Sequence, residues 1–315
     1  MNTFDIYVDS GANIPTELER ERKITVIPFQ MRVNGKERSC IEQGVPFQET
    51  AKAFYADMRA GAEVQTSLIN AQTFYDTLLP SMKAGKDALL FTISSGISGS
   101  FKQAQEAKKM LEADFPERTV YVLDSANASM GEGMLALRAA DLRDMGESAE
   151  TAAKWVEANA YRLNSYVTVG DLKFLKKTGR ISTTLAIAGT ILNIKPIIRA
   201  DGGESAKLVF FSKERGRKKA LAALAEAYRE RATDHENQTV AICHADCEED
   251  ALHLADLIRE IGVKEIIMNY YDLCTGSHAG PGTVALFFFG KDRRGNLAPT
   301  PEKQPMGKAV PHRIS

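Results

Sequence analysis

Short apolar runs rich in β-branched residues alternate along this chain with segments whose apolar residues recur at helical spacing. That alternation limits the fold more than any other feature. FDIYVD (4–9), ITVIPFQMRV (24–33), ALLFTI (88–93) and TVYVLD (119–124) read as strands. Between them PFQETAKAFYADMRAG, NAQTFYDTLLPSMKAG and KQAQEAKKMLEADF read as helices; in the first, Phe47, Ala51, Phe54, Tyr55 and Met58 fall near one face and Gly61 follows as a stop. Such an alternation predicts an α/β architecture, with parallel strands covered by helices.

The second half repeats the pattern. ESAETAAKWVEANAYRL opens a long helix, followed by SYVTV, a basic turn, STTLAIAGTILNI, and KPIIRADGGESAKLVFFSK, a hairpin around Asp201-Gly202-Gly203. Then come the helix KERGRKKALAALAEAYRERA, the strand QTVAICHA, the helix EEDALHLADLIREIG, the strand EIIMNYY, a Gly-rich segment and TVALFFFG. A length of 315 residues with 44% hydrophobic content supplies a core for each of two domains. The expected division is an N-terminal α/β domain over 1–160 with a mostly parallel sheet, and a C-terminal α/β domain over 161–290 with a mixed sheet. From 291 to 315 apolar periodicity gives way to Pro and charge, which predicts a flexible tail.

Charge excludes some classes of partner. With 40 basic residues against 41 acidic, the molecule presents no overall field for nucleic acid or an anionic membrane. No window reaches the roughly 18 to 20 apolar residues of a membrane span. MNTFDIYVDS lacks a basic region followed by an apolar signal core, so a cytoplasmic protein without stable membrane insertion is expected. Cys40, Cys243, Cys247 and Cys274 form no evident disulfide framework, and CHADC (243–247) has the wrong spacing for a zinc finger. No metal and no cofactor are expected, since GxxxxGK[ST] and GxGxxG are both absent.

The richest local chemistry lies in ISSGISGS (93–100), a Gly/Ser turn between a strand and a helix. A nucleophile elbow is one reading, with Ser98 attacking a carbonyl and His278 as base, but the closing Gly of GxSxG is displaced by one place. A carboxylate site is another. Ser94, Ser95, Ser98 and Ser100 offer hydroxyls, Gly96 and Gly99 admit close backbone, and a helix N-terminus favours negative charge. A plain capped helix start explains the letters equally well. Thr66-Ser67 is a second hydroxyl pair before a helix, where Asn70 competes with it as cap. Asp9-Ser10 and Asp124-Ser125 each end an apolar strand, placed to cap the next segment or to line a crevice. Lys173, Lys176, Lys177 and Arg180 cluster in LKFLKKTGRIS, and His278 sits in the Gly-rich TGSHAGPGTV.

Taken in order, VDSGANIP, Thr66-Ser67, ISSGISGS, a strand ending in Asp-Ser, LKFLKKTGRI, the KPI strand and GSHAGPG resemble the DegV family of bacterial fatty-acid-binding proteins, to about residue 290. The resemblance implies a carrier, not an enzyme: two α/β domains with a long-chain fatty acid buried in or between them. It places the carboxylate ligands at Thr66 and Ser98, beside Ser67 and Ser95, with His278 and Arg180 as further neighbours. It also implies a separate fatty acid kinase that receives the presented acid and makes an acyl phosphate for phospholipid synthesis. Fold-level kinship with dihydroxyacetone kinases raises a sugar-kinase-like alternative, against which the missing nucleotide motifs stand. The family's TSxP appears here as Thr66-Ser67-Leu68-Ile69, so the turn after the hydroxyls lacks its proline.

Overall fold

The computed structural model describes residues 4–42, 44–180, 193–201 and 207–295. Strand β1 (Phe4–Asp9) passes through a 3-10 turn at Ser10–Ala12 into helix α1 (Thr16–Glu21) and β2 (Ile24–Ile27), followed by β3 (Gln30–Val33) and β4 (Lys36–Ser39). Helix α2 (Phe47–Arg59), β5 (Val64–Ser67), α3 (Ala71–Lys83), β6 (Asp87–Thr92), α4 (Ser100–Asp114), β7 (Val120–Asp124), α5 (Met130–Asp144) and α6 (Ala149–Asn159) complete the first half. The second comprises β8 (Leu163–Thr168), α7 (Lys173–Thr178), β9 (Ile194–Ala200), β10 (Leu208–Arg215), α8 (Arg217–Arg231), β11 (Thr239–His244), α9 (Glu248–Ile261), β12 (Glu265–Tyr270), α10 (Leu273–Ala279) and β13 (Val284–Phe289).

A four-stranded sheet in the order β2-β1-β6-β7 is parallel throughout. The chain leaves β1 for β2 on one side and returns to β6 on the other. The carboxyl ends of β1 and β6 therefore flank a switch point, where open α/β sheets leave a crevice. A six-stranded sheet, β10-β9-β8-β13-β11-β12, is antiparallel except for the β11–β12 pair.

Strand alternation decides which core each side chain joins. Along β13, Leu286 and Phe288 pack with Leu224 and Tyr228 of α8 and Leu254 of α9, whereas Phe287 faces the opposite way. That opposite face shares one cluster with the first sheet: Val167 and Phe287 join Tyr7 and Leu90, and Phe74 of α3. On its other face the first sheet buries Phe4, Ile6 and Phe91 against Leu135 of α5 and Val156 of α6. The two sheets are thus joined through a common apolar layer.

Several elements differ from expectation. ITVIPFQMRV is two strands, because Pro28 interrupts the ladder: β2 belongs to the parallel sheet and β3 to a three-stranded antiparallel sheet, β4-β3-β5. The basic turn contains α7, ended by Gly179 in the left-handed region at φ 67°. Part of the Gly-rich segment is α10, capped by Asp272. Helix α5 was not legible at all, since it is buried on most sides and its apolar residues form no single stripe. STTLAIAGTILNI lies almost wholly outside the described residues, as do Gly202 and Gly203 of the hairpin turn and the chain from 296 onward. The described beginning of the supposed tail is anchored: Arg293 is buried and donates to the carbonyls of Ala126 and Ala160 at 3.1 and 3.2 Å.

Candidate functional site

The turn after β6 is held by the two Asp-Ser strand ends. Asp9 accepts from the Gly11 amide at 2.9 Å and the Ile93 amide at 2.8 Å. Asp124 accepts from the amides of Ala126 at 2.9 Å and Ser95 at 3.2 Å. Both aspartates therefore cap and brace. Within the turn, the amides of Ile97 and Ser98 close onto the Ser94 carbonyl at 3.1 and 3.2 Å, and the Ser94 amide donates to the Asn127 carbonyl at 2.7 Å. Ser98 Oγ lies 3.0 Å from Ser100 Oγ and accepts from the Ser100 amide at 3.2 Å, so it closes the first turn of α4.

Thr66 and Ser67 open no helix. They end β5, where Thr66 pairs with Met31 across the small sheet, and Asn70 caps α3 by accepting from the Thr73 amide at 2.9 Å. Thr66 Oγ1 meets His278 Nε2 at 2.9 Å. Helix α10, which carries His278, is fixed from the first half: buried Tyr55 of α2 donates to the Tyr271 carbonyl at 2.8 Å. A β-carbon on Gly276 would lie 1.8 Å from the Tyr55 hydroxyl, so only glycine lets the tyrosine sit there.

A cavity of about 500 Å³ receives all six sequence-predicted residues: Thr66, Ser67, Ser95, Ser98, Arg180 and His278. Its size falls in the roughly 300–1,000 Å³ range of small-molecule sites. Ser67 and Ser95 are exposed, while Thr66, Ser98, Arg180 and His278 are half-buried. Phe29, Ile93, Val167, Leu175 and Phe287 supply apolar wall. Sequence reasoning missed Asn127 and Ser165, which also line it; Ser165 Oγ donates to Asn127 Oδ1 at 2.5 Å. The period-2 placement of Ser165 beside Leu163 and Val167 is the signal that could have found it.

Burial, with the nearby Arg180 charge second, pushes the His278 imidazole down to about 4. At neutral pH it is uncharged, and its Nδ1 is buried without a hydrogen-bond partner among the described residues. With its proton on Nε2 it donates to Thr66, leaving the threonine hydroxyl hydrogen for a guest. Chemically the lining offers hydroxyl donors, the Arg180 guanidinium and the Lys207 ammonium together with apolar wall. A Ser98–His278 dyad is not formed: Ser98 is engaged with Ser100, and His278 with Thr66. Strained strand-to-helix backbone occurs instead at Ser129, with φ 56° and ψ −147°. Ser129 is fully buried, and its Oγ accepts from Asn13 Nδ2 at 3.1 Å. A β-carbon at Gly131 would come within 2.8 Å of the Asn127 side chain, which is why that sharp turn needs a glycine.

Among the described residues no group of His, Cys, Asp and Glu is arranged to hold a metal ion, and no helix is long and apolar enough to cross a membrane. The four cysteines are free.

Comparison with known proteins covers most of the chain. The family model DegV, described as a family of uncharacterised proteins, matches residues 3–291. A DegV domain-containing protein of Clostridium perfringens is 35% identical, over 92% of this chain and 98% of its own. Among solved structures, a Thermotoga maritima protein described as revealing a fatty acid binding function is 26% identical, with a TM-score of 0.79 over 92% of this chain and 100% of its own. DegV of Bacillus subtilis, described as a fatty acid binding protein, is 28% identical, with a TM-score of 0.76 over 92% of this chain and 100% of its own.

Proposed function

The chain belongs to the DegV family, and from that premise we propose that it binds a long-chain fatty acid non-covalently, with the carboxylate held by Thr66 and Ser98. One observation carries the reading: hydroxyls from β5 and from the turn after β6 line a single, largely apolar cavity together with Arg180 and His278. The relatives from Thermotoga maritima and Bacillus subtilis, described as fatty acid binding, support the same ligand class.

Magnitudes divide the work between the two ends of the guest. Each buried methylene contributes about 0.8 kcal/mol, so about fourteen of them give a gross gain of about 11 kcal/mol before ordering costs. A charge-assisted hydrogen bond adds about 1.5–3 kcal/mol. The tail therefore supplies affinity, and the hydroxyls set which end faces the mouth. Exposed Ser67 and Ser95 mark that mouth. A head group presented there suits hand-over to a second protein, and the partner we propose is a cytoplasmic fatty acid kinase forming an acyl phosphate for phospholipid synthesis.

Native extraction of the purified protein followed by lipid mass spectrometry tests the ligand. A long-chain fatty acid at near-stoichiometric yield is expected. Lipid-free protein that also fails to bind an added fluorescent fatty acid would overturn the reading. The kinase step is tested by adding the loaded protein and a phosphoryl donor to a candidate kinase and looking for acyl phosphate.

A further inference from the structure

Behind the turn, three carboxyl groups from separate elements are buried together. Asp9 ends β1 and Glu132 stands in the first turn of α5, both with no exposed surface, while Asp272 caps α10 with 3% exposure. Two of them brace the site from opposite sides. Asp9 accepts from the amide of Ile93, the residue before the turn, and Asp272 accepts from the Thr275 amide at 2.8 Å in the helix that carries His278. Glu132 braces nothing of its own: both of its oxygens are buried without a well-formed hydrogen bond among the described residues, and the Asp9 amide is the donor that faces them.

A carboxylate so poorly supplied with donors is strongly disfavoured in such a place, but a carboxylic acid is itself a donor. The acceptor within reach is the Asp9 side chain. We propose that Glu132 is a positioning residue for the head-group site: as the protonated acid it donates to the Asp9 carboxylate, which is thereby oriented to accept from the Ile93 amide and fix the start of the Ser94–Ser98 turn. This rests on reading the cavity as a fatty acid site.

The surroundings favour a retained proton. Asp9 of β1, Asp272 of α10 and Asp124 of β7 face Glu132, and the Asp9 amide opposes their effect only in part. Asp272 in turn faces Tyr55 of α2, Tyr271, Cys243 of β11 and Cys274 of α10. A second negative charge beside Asp9 is repelled by the neighbouring carboxylates, and none of these groups is a cation that would compensate it. Burial, followed by Asp9 and Asp272, holds the Glu132 carboxyl well above the usual range, and burial raises Asp9 to about 7. The pair titrates as a unit, with one proton held between the two groups. For an acid raised in this way the useful proton is present at neutral pH and lost as pH climbs.

The test measures affinity of the full chain for a fluorescent fatty acid and for the fatty alcohol of equal length at about pH 7, in wild type, Glu132→Gln and Glu132→Leu. Glutamine keeps a donor where leucine has none. Glu132→Gln is expected to bind the fatty acid within about threefold of wild type. Glu132→Leu should weaken the acid about tenfold and the alcohol less than about threefold. A Glu132→Gln variant that loses about tenfold in acid affinity while binding the alcohol like wild type overturns the inference, and needs no folded leucine variant. Equal loss of acid and alcohol in Glu132→Leu overturns it too. A wild type that binds no fatty acid overturns the binding reading and this inference with it, a result distinct from loss of affinity confined to a variant.

Discussion

His278 is held neutral by burial, so the basic side chains that remain in the cavity lining are Arg180 and Lys207. The sign of its pH dependence follows. A histidine lowered to about 4 gains charge only below that value, so fatty acid affinity should show no histidine step between about pH 6 and about pH 8, as titrated by fluorescence displacement. Thr66→Ala and Ser98→Ala should each weaken a fatty acid by roughly tenfold, about 1–2 kcal/mol, and leave the matching fatty alcohol nearly unchanged; equal weakening of both ligands would show that neither hydroxyl reads the carboxylate. At this scale the sequence was legible where small polar residues crowd a turn, as in ISSGISGS. It was silent on Glu132, a single acidic letter in MGEGM, because a buried carboxyl has no signature apart from the elements that enclose it. The sharp backbone sought at Ser98 lies at Ser129, where the Asn127–Gly131 contact that requires it cannot be read from spacing.

Among the elements, α2 and α10 form the joint on which the site depends. Tyr55→Phe leaves the Tyr271 carbonyl without its buried donor, which should lower stability by about 1–3 kcal/mol in denaturant titration. Gly276→Ala forces a methyl group onto the Tyr55 hydroxyl and should destabilise at least as much. If it melts like wild type, α10 is not clamped as described. The strands β1, β6 and β7 were readable as short apolar runs, and the helices α2 and α3 as segments with one apolar face. Helix α5 was not, since a helix packed on most sides shows no amphipathic stripe. The strand carrying Thr66 was missed for another reason. VQTS is short and half-exposed, and its partner β3 is an earlier segment whose pairing no local pattern reveals.

In the whole molecule, the buried carboxyls make stability depend on pH in an unusual direction. Burial raises Asp9 and Asp272 each to about 7. The unfolded chain releases these protons near about pH 4, whereas the folded chain keeps them to about pH 7. The native state binds more protons in that window, so these groups lower stability as pH rises through it. Denaturant midpoints should be higher at about pH 5 than at about pH 8, and Asp272→Asn, which can still cap α10, should flatten the slope. The Thr66–His278 bond spans 212 positions, and the bond from Asn13 Nδ2 to Cys243 Sγ spans 230. During synthesis, therefore, a ribosome that has finished the entire Gly/Ser turn has not yet made the residues that close the cavity around it. The nascent chain must wait for its last quarter to emerge before the cavity wall is complete, and any premature stop before α10 yields a product without Thr275, His278 and Phe287 in that wall.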